Sequence, residues 1–217
     1  MKKLVILGFD GTIADTSPGI LYCMNTTAIT MGYTSVPLDA LYGVIGVSLE
    51  QGFERLYGMK GDEIEYAMNN YSKLYSMKGE EMILIYDGIA EALQKLKEAG
   101  CKLAIVTQKN RKFIHNMLGV YEEIGSRFDA IHATDVDSNR TKTDMLRDTL
   151  AELETAPEDC VFIGDTFTEA LAARDVGVDF AAALYGWGFR TREDAEPYSP
   201  KAYIESAEDI FDIISRL

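Results

Sequence analysis

The stretch Leu4-Val5-Ile6-Leu7-Gly8-Phe9-Asp10-Gly11-Thr12 sets an unbroken apolar run against Gly and Asp within nine residues. Four apolar residues bounded by turn formers read as a strand buried on both faces, the kind found in parallel sheets. The same arrangement recurs at 103–106, 128–132, 161–163 and 180–184, with a last short run at 202–204. Between these runs the apolar spacing is helical over 88–99, 110–118, 142–153 and 168–176, and glycines at 100, 119 and 177 stand near the ends. A final helix is expected after Ser206, with Asp209 as the partner in a capping box. Strands alternating with helices predict an α/β fold with a Rossmann-like parallel sheet.

The alternation is interrupted once. From Thr16 to Met82 no strand pattern stands out, while Ile20, Met24 and Thr27, then Leu49, Phe53 and Leu56, then Ile64, Ala67, Met68 and Tyr71 repeat at helical spacing. The expected organisation is an α/β core of residues 1–15 and 83–217, with a small helical domain, residues 16–82, inserted after the first strand. Extra helices packed directly on the sheet are the plainer alternative.

Composition narrows the chemistry. Lys and Arg number 21 against 35 Asp and Glu, a formal net charge of −14. Phosphate backbones and anionic lipid surfaces repel such a chain, so neither nucleic acid nor membrane is expected as a partner. No apolar run approaches the ~20 residues of a membrane span. The basic start Met1-Lys2-Lys3 leads into an apolar run too short for an export signal, and a cytoplasmic protein is expected. Cys23, Cys101 and Cys160 are odd in number and widely spaced, which fits a reduced protein with buried or idle thiols. With only His115 and His132, a histidine metal cluster is excluded and a serine or cysteine triad has little to work with, so the chemistry falls to carboxylates.

Ligands of an open parallel sheet bind beyond the carboxyl ends of its strands. The residues found there are Gly8-Phe9-Asp10-Gly11-Thr12, then Thr107, then Lys142 at a helix start, then Gly164-Asp165-Thr166 with Glu169, and the loop Tyr185-Gly186-Trp187-Gly188. Carboxylates and carbonyls suit a hard cation such as Mg²⁺, while a lysine, a hydroxyl and exposed amides suit phosphoryl oxygens. Taken singly, each motif also has a plain reading: Asp-Gly as a turn, Gly-Asp-Thr as a helix cap, Thr107 as a strand end, Lys142 as a solvated side chain. Four of them in order at four strand ends point to phosphate handling.

Residues 6–16 (Ile-Leu-Gly-Phe-Asp-Gly-Thr-Ile-Ala-Asp-Thr), Ile105-Val106-Thr107, Arg140-Thr141-Lys142 and Phe162-Ile163-Gly164-Asp165-Thr166 together resemble the four motifs of the haloacid dehalogenase superfamily. The phosphoglycolate-phosphatase-like branch is the nearest match. The resemblance covers essentially the whole chain, including the insertion where that branch carries its cap domain. It implies a Mg²⁺-dependent phosphatase of a small phosphorylated metabolite. Asp10 would be the acid and base and would give a backbone carbonyl to the metal. Thr107 and Lys142, with Gly11 and Gln108, would bind phosphate, Asp165 would be the direct metal carboxylate, and Glu169, standing where the branch usually has Asp, would reach the metal through water. The motif's first Asp, the nucleophile, is here Gly8, which can neither attack phosphorus nor ligate metal. Loss of such a nucleophile costs on the order of a million-fold in turnover.

Three readings follow: a family phosphatase impaired at position 8, a natural pseudophosphatase that binds a phosphorylated ligand or partner protein, or different chemistry through Asp10. Dehalogenase and phosphomutase activities both need the missing nucleophile. Asp15 is either an acidic site position or a hinge turn, and Trp187 is either beside the site or buried structure. Residues 43–48, with two glycines, are either a loop facing the core or a helix connection. Lys109 and Arg111 are either helpers for a substrate phosphate or, as the expected reading, exposed and solvated at the opening of a helix.

Overall fold

A computed structural model describes residues 1–42, 48–135 and 140–217. The strands are β1 (Leu4–Leu7), β2 (Ala14–Asp15), β3 (Leu84–Ile85), β4 (Lys102–Asn110), β5 (Ala130–Thr134), β6 (Cys160–Gly164), β7 (Asp179–Ala183) and β8 (Ala202–Ile204). The helices are α1 (Ser17–Thr30), α2 (Leu38–Tyr42), α3 (Leu49–Tyr57), α4 (Asp62–Met77), α5 (Ile89–Glu98), α6 (Arg111–Val120), α7 (Glu122–Gly125), α8 (Lys142–Glu152), α9 (Phe167–Val176), α10 (Arg192–Ala195) and α11 (Ile210–Ile214). The chain divides into two compact units, residues 1–15 with 85–217, and residues 16–84.

The first unit is built on a six-stranded sheet of order β5-β4-β1-β6-β7-β8, every pairing parallel. This is the Rossmann-like α/β fold the apolar runs predict. Leu4, Val5, Ile6 and Leu7 are fully buried because β1 is flanked by β4 on one edge and β6 on the other. Side chains alternate across a strand. Leu4 and Ile6 join Val106, Phe162 and Phe180 in one cluster with Met145, Leu146 and Leu150 of α8 and Ala170 and Ala173 of α9. After β1 the chain builds outward through β4 and β5, then returns to the other side of β1 with β6. The strand order therefore reverses between β1 and β6, the place where an open α/β sheet leaves a crevice at its carboxyl edge.

Apart from Leu84, which opens β3, the regular structure of the second unit's described residues is helical, with α1 to α4. Its interior is aromatic: Phe53 packs edge-on to Tyr71, with ring centroids 6.3 Å apart, and Tyr71 stacks on Tyr75 at 5.4 Å. In α1, Gly19 lies against the carbonyl of Gly79, where a Cβ would overlap. Ser48 caps α3 by accepting from the N–H of Gln51 at 3.2 Å. Residues 43–47, the rest of the glycine-containing segment expected to face the core or join helices, lie outside the described residues.

Several boundaries differ from the sequence expectation. β4 runs past 106 to Asn110, and its pairing with β5 shifts register between Thr107 and Asn110. β5 covers Ala130–Thr134 rather than 128–132. Ser206 accepts from the N–H of Glu208 and opens a 3-10 turn, Ala207–Asp209, before α11, in place of a capping box with Asp209.

Candidate active site

The turn after β1 is held by its own backbone: Gly11 N–H donates to the Ala14 carbonyl at 2.9 Å, and Ile13 N–H to that of Phe9 at 2.9 Å. Gly11 adopts φ +76°, and a Cβ there would overlap the Asp165 carboxylate. Only glycine satisfies both the left-handed backbone and the close approach. Gly186 packs against Asp165 Cβ and the Gly11 carbonyl with equally little room. Asp10 and Asp165, 155 residues apart in sequence, thus belong to one tightly packed corner at the ends of β1 and β6.

Asp165 is fully buried. Its Oδ2 accepts from the backbone N–H groups of Trp187 at 3.0 Å and Gly188 at 3.3 Å, and its Oδ1 accepts from the Thr12 hydroxyl at 3.4 Å. Burial pushes its carboxyl pKa up, the charge of Glu169 adds to the rise, and the two N–H donors and Lys142 oppose it.

Lys142 is the first residue of α8, whose start is fixed by a capping box between Thr141 and Asp144. Its ammonium donates to the Thr168 hydroxyl at 2.8 Å and forms an ion pair with Glu169 Oε1. Glu169 is buried at the first turn of α9, and its Oε2 accepts from the Thr166 hydroxyl and from the Thr166 N–H at 3.2 Å. Gly8 lies beside this pair: a Cβ built on it would lie 3.1 Å from Thr12 Oγ1 and 3.4 Å from Glu169 Oε1.

Thr107 is buried, and its hydroxyl accepts from the Lys109 N–H at 3.1 Å, while Gln108 is exposed. Lys109 corrects the sequence expectation. It lies in β4, its side chain is only 7% exposed, and its ammonium donates to Asp10 Oδ1 at 2.8 Å. The extension of β4 carries it inward toward the β1 turn. Arg111 does open α6, yet it too is engaged, with Asp135 at 3.2 Å and the Ala133 carbonyl at 3.2 Å.

Trp187 meets the site through its backbone, and its indole N–H donates to Asp15 Oδ1 at 3.1 Å. The Tyr185 hydroxyl donates to the Thr12 carbonyl at 2.8 Å. The loop 185–188 therefore closes around Asp165, and Tyr86 packs edge-on against Tyr185. Sequence reasoning placed this loop at the sheet edge. It missed the Lys109 to Asp10 pair, because an ordinary lysine carries no mark of burial.

Chemically, two buried carboxylates, Asp165 and Glu169, share a corner with one lysine. That excess of buried negative charge, together with the hard oxygen donors, fits a divalent cation. Among the described residues no three His, Cys, Asp or Glu side chains gather into a ready metal cage, so carbonyl oxygens and water would complete any coordination shell.

The profile of haloacid dehalogenase-like hydrolases matches residues 5–183. A 5'-nucleotidase of Pseudomonas aeruginosa is 28% identical over 92% of this chain and 89% of its own length. A phosphoglycolate phosphatase of Psychrobacter arcticus is 26% identical over 87% of this chain and 86% of its own. The crystal structure of a predicted phosphatase from Clostridium acetobutylicum superposes with a TM-score of 0.90 over all of both chains at 24% identity, a likeness of fold. A matching profile that runs from β1 through β7 makes this chain a member of the haloacid dehalogenase-like hydrolase family.

Proposed function

We propose that the core unit carries a phosphate-monoester site of the phosphoglycolate-phosphatase kind, working with Mg²⁺ on a small phosphorylated metabolite and lacking its attacking carboxylate at Gly8. The observation that carries this reading is that Asp10 just after β1 and Asp165 just after β6 share one packed corner through Gly11, with Lys142 at the start of α8 and with Thr107, inside β4, linked to Asp10 through Lys109. In this reading Thr107 and Lys142 hold phosphoryl oxygens, with amides near Gly11 and Gln108 adding donors. Once a carboxylate stands at position 8 to take the phosphoryl group, Asp10 would protonate the leaving oxygen and then take a proton from the water that hydrolyses the aspartyl-phosphate, and its pairing with Lys109 orients it. Asp165 and the Asp10 carbonyl would be the direct oxygen donors for the cation and Glu169 would reach it through water; the cation would neutralise phosphoryl charge when bound. The helical unit, residues 16–84, is assigned as the cap that selects the substrate, and the formal charge of −14 suits a cytoplasmic protein that avoids nucleic acid and membranes.

A second reading has its own support. Lys142 and Lys109 are each paired with a carboxylate within this chain, so neither lysine depends on a carboxylate at position 8 for its counter-charge. A pseudophosphatase that binds a phosphorylated ligand or a partner protein needs no more than that.

The test is Mg²⁺-dependent hydrolysis of a panel of small phosphate monoesters by this chain and by Gly8→Asp variants, with inorganic phosphate binding followed through Trp187 emission. The chain is expected to turn over on the order of a million-fold more slowly than a complete enzyme. Measurable turnover is expected once a carboxylate returns at position 8. An ordinary enzymatic rate from the unaltered chain would overturn the assignment of position 8. Phosphate binding without hydrolysis by any Gly8→Asp form would leave the pseudophosphatase.

A further inference from the structure

The structure shows where the long side chain of Glu169 reaches. The stem of Glu169 lies against Gly164, where a Cβ would overlap its Cγ and Cβ, so the absence of a side chain at 164 leaves room for it. The carboxylate then arrives beside Gly8, with Oε1 3.4 Å from the point a position-8 Cβ would occupy. The same Oε1 is the counter-charge of Lys142, while Oε2 is tied to Thr166.

We propose that Glu169 stands in for the carboxylate that position 8 lacks: it fills the space next to Gly8 and gives Lys142 its negative partner, so that Gly8 and Glu169 form one compensated pair. This rests on reading position 8 as the nucleophile position. Glu169 acts here as a positioning residue for Lys142, since its second oxygen is held by the Thr166 N–H and hydroxyl at the start of α9. The oxygens of an aspartate lie farther out than its Cβ. A carboxylate added at position 8 therefore enters a space bounded by Thr12 and an existing carboxylate, with Lys142 already engaged. Two carboxylates competing for one ammonium repel each other in a buried site. The single Gly8→Asp change is therefore an incomplete repair, and shortening residue 169 completes it.

A double-mutant cycle tests this, comparing the unaltered chain, Gly8→Asp, Glu169→Asp and the double variant. Melting temperature is read without metal, and hydrolysis of the monoester panel with Mg²⁺. Gly8→Asp alone is expected to melt several degrees lower, at ~2–4 °C per kcal/mol for a chain of this size. The double variant is expected to melt above the sum of the two single effects and to hydrolyse about tenfold or more faster than Gly8→Asp alone, since about 1.4 kcal/mol of transition-state positioning is a factor of ten. Gly8→Asn replaces Gly8→Asp in the melting cycle if the latter does not fold, and it separates crowding from charge. Strictly additive melting shifts would overturn the compensated pair, whatever the activities. Coupled melting with no hydrolysis by any form would uphold the pair and count against the phosphatase reading alone.

Discussion

Asp165 concentrates the physics of the site in one residue. Its carboxyl is fully buried with Glu169 nearby, and these two causes push its pKa up from 3.8 to about 7. A folded state that holds this proton more tightly than the unfolded chain is stabilised by it at low pH. That contribution is present below about 4 and is lost as pH rises from about 4 to about 7. Asp165 should therefore lower stability on going from pH 5 to pH 8, with denaturant midpoints measured in the presence of a chelator. Asp165→Asn, which keeps an oxygen acceptor for the Trp187 and Gly188 N–H groups but cannot ionise, should flatten that part of the profile. An unchanged pH dependence in the variant would place the titration elsewhere. Adding Mg²⁺ should raise the melting temperature of the unaltered chain more at pH 8 than at pH 5, because the cation needs the ionised carboxylate.

At the scale of elements, the site depends on how β4, α8 and α9 begin and end. Lys142 is placed by the reciprocal bonds between Thr141 and Asp144: the Asp144 N–H donates to Thr141 Oγ1 at 3.1 Å and the Thr141 N–H to Asp144 Oδ2 at 3.0 Å. Thr141→Ala removes the cap and should cost about 1 kcal/mol, or roughly 2–4 °C in melting temperature. It should also lower the turnover of a hydrolysing Gly8→Asp form, because a frayed first turn no longer holds Lys142. Thr141→Ser, which keeps the hydroxyl, should restore most of both. Equal melting temperatures for all three would remove the capping box from the account. The same elements show what was legible in the sequence. β1 carries its limits in its apolar run and its glycine. The end of β4 does not, because Thr107 to Asn110 is polar and stays extended through pairing with β5, an interaction no local pattern encodes. Asp10, Thr107, Lys142 and Asp165 could be collected from strand ends. The Lys109 to Asp10 pair and the approach of Glu169 to Gly8 depend on contacts between elements far apart in the chain.

For the whole molecule, the parallel sheet gathers the loops that carry the site at one edge, and the three cysteines are buried away from solvent. Cys101 and Cys160 are buried in the core unit, and Cys23 is buried in the helical unit. Cys101 Sγ donates to the Lys2 carbonyl at 3.3 Å, and Cys160 Sγ to that of Ala156 at 3.2 Å. Burial raises all three thiol pKa values, Cys23 to about 11 and Cys160 to about 12. Since the thiolate is the reactive form, each thiol is both shielded and protonated at neutral pH. Alkylation by iodoacetamide at pH 8 should therefore wait on opening of the fold, and its rate becomes a probe of the two units. If they open independently, Cys23 should be labelled at a different denaturant concentration from Cys101 and Cys160, as resolved by peptide mass analysis. If all three react together at the global midpoint, the chain unfolds as one cooperative body. Fast labelling of any of them in native buffer would contradict the burial on which this argument rests. A Mg²⁺-dependent delay confined to Cys101 and Cys160 would in addition locate cation binding in the core unit, with no reliance on turnover.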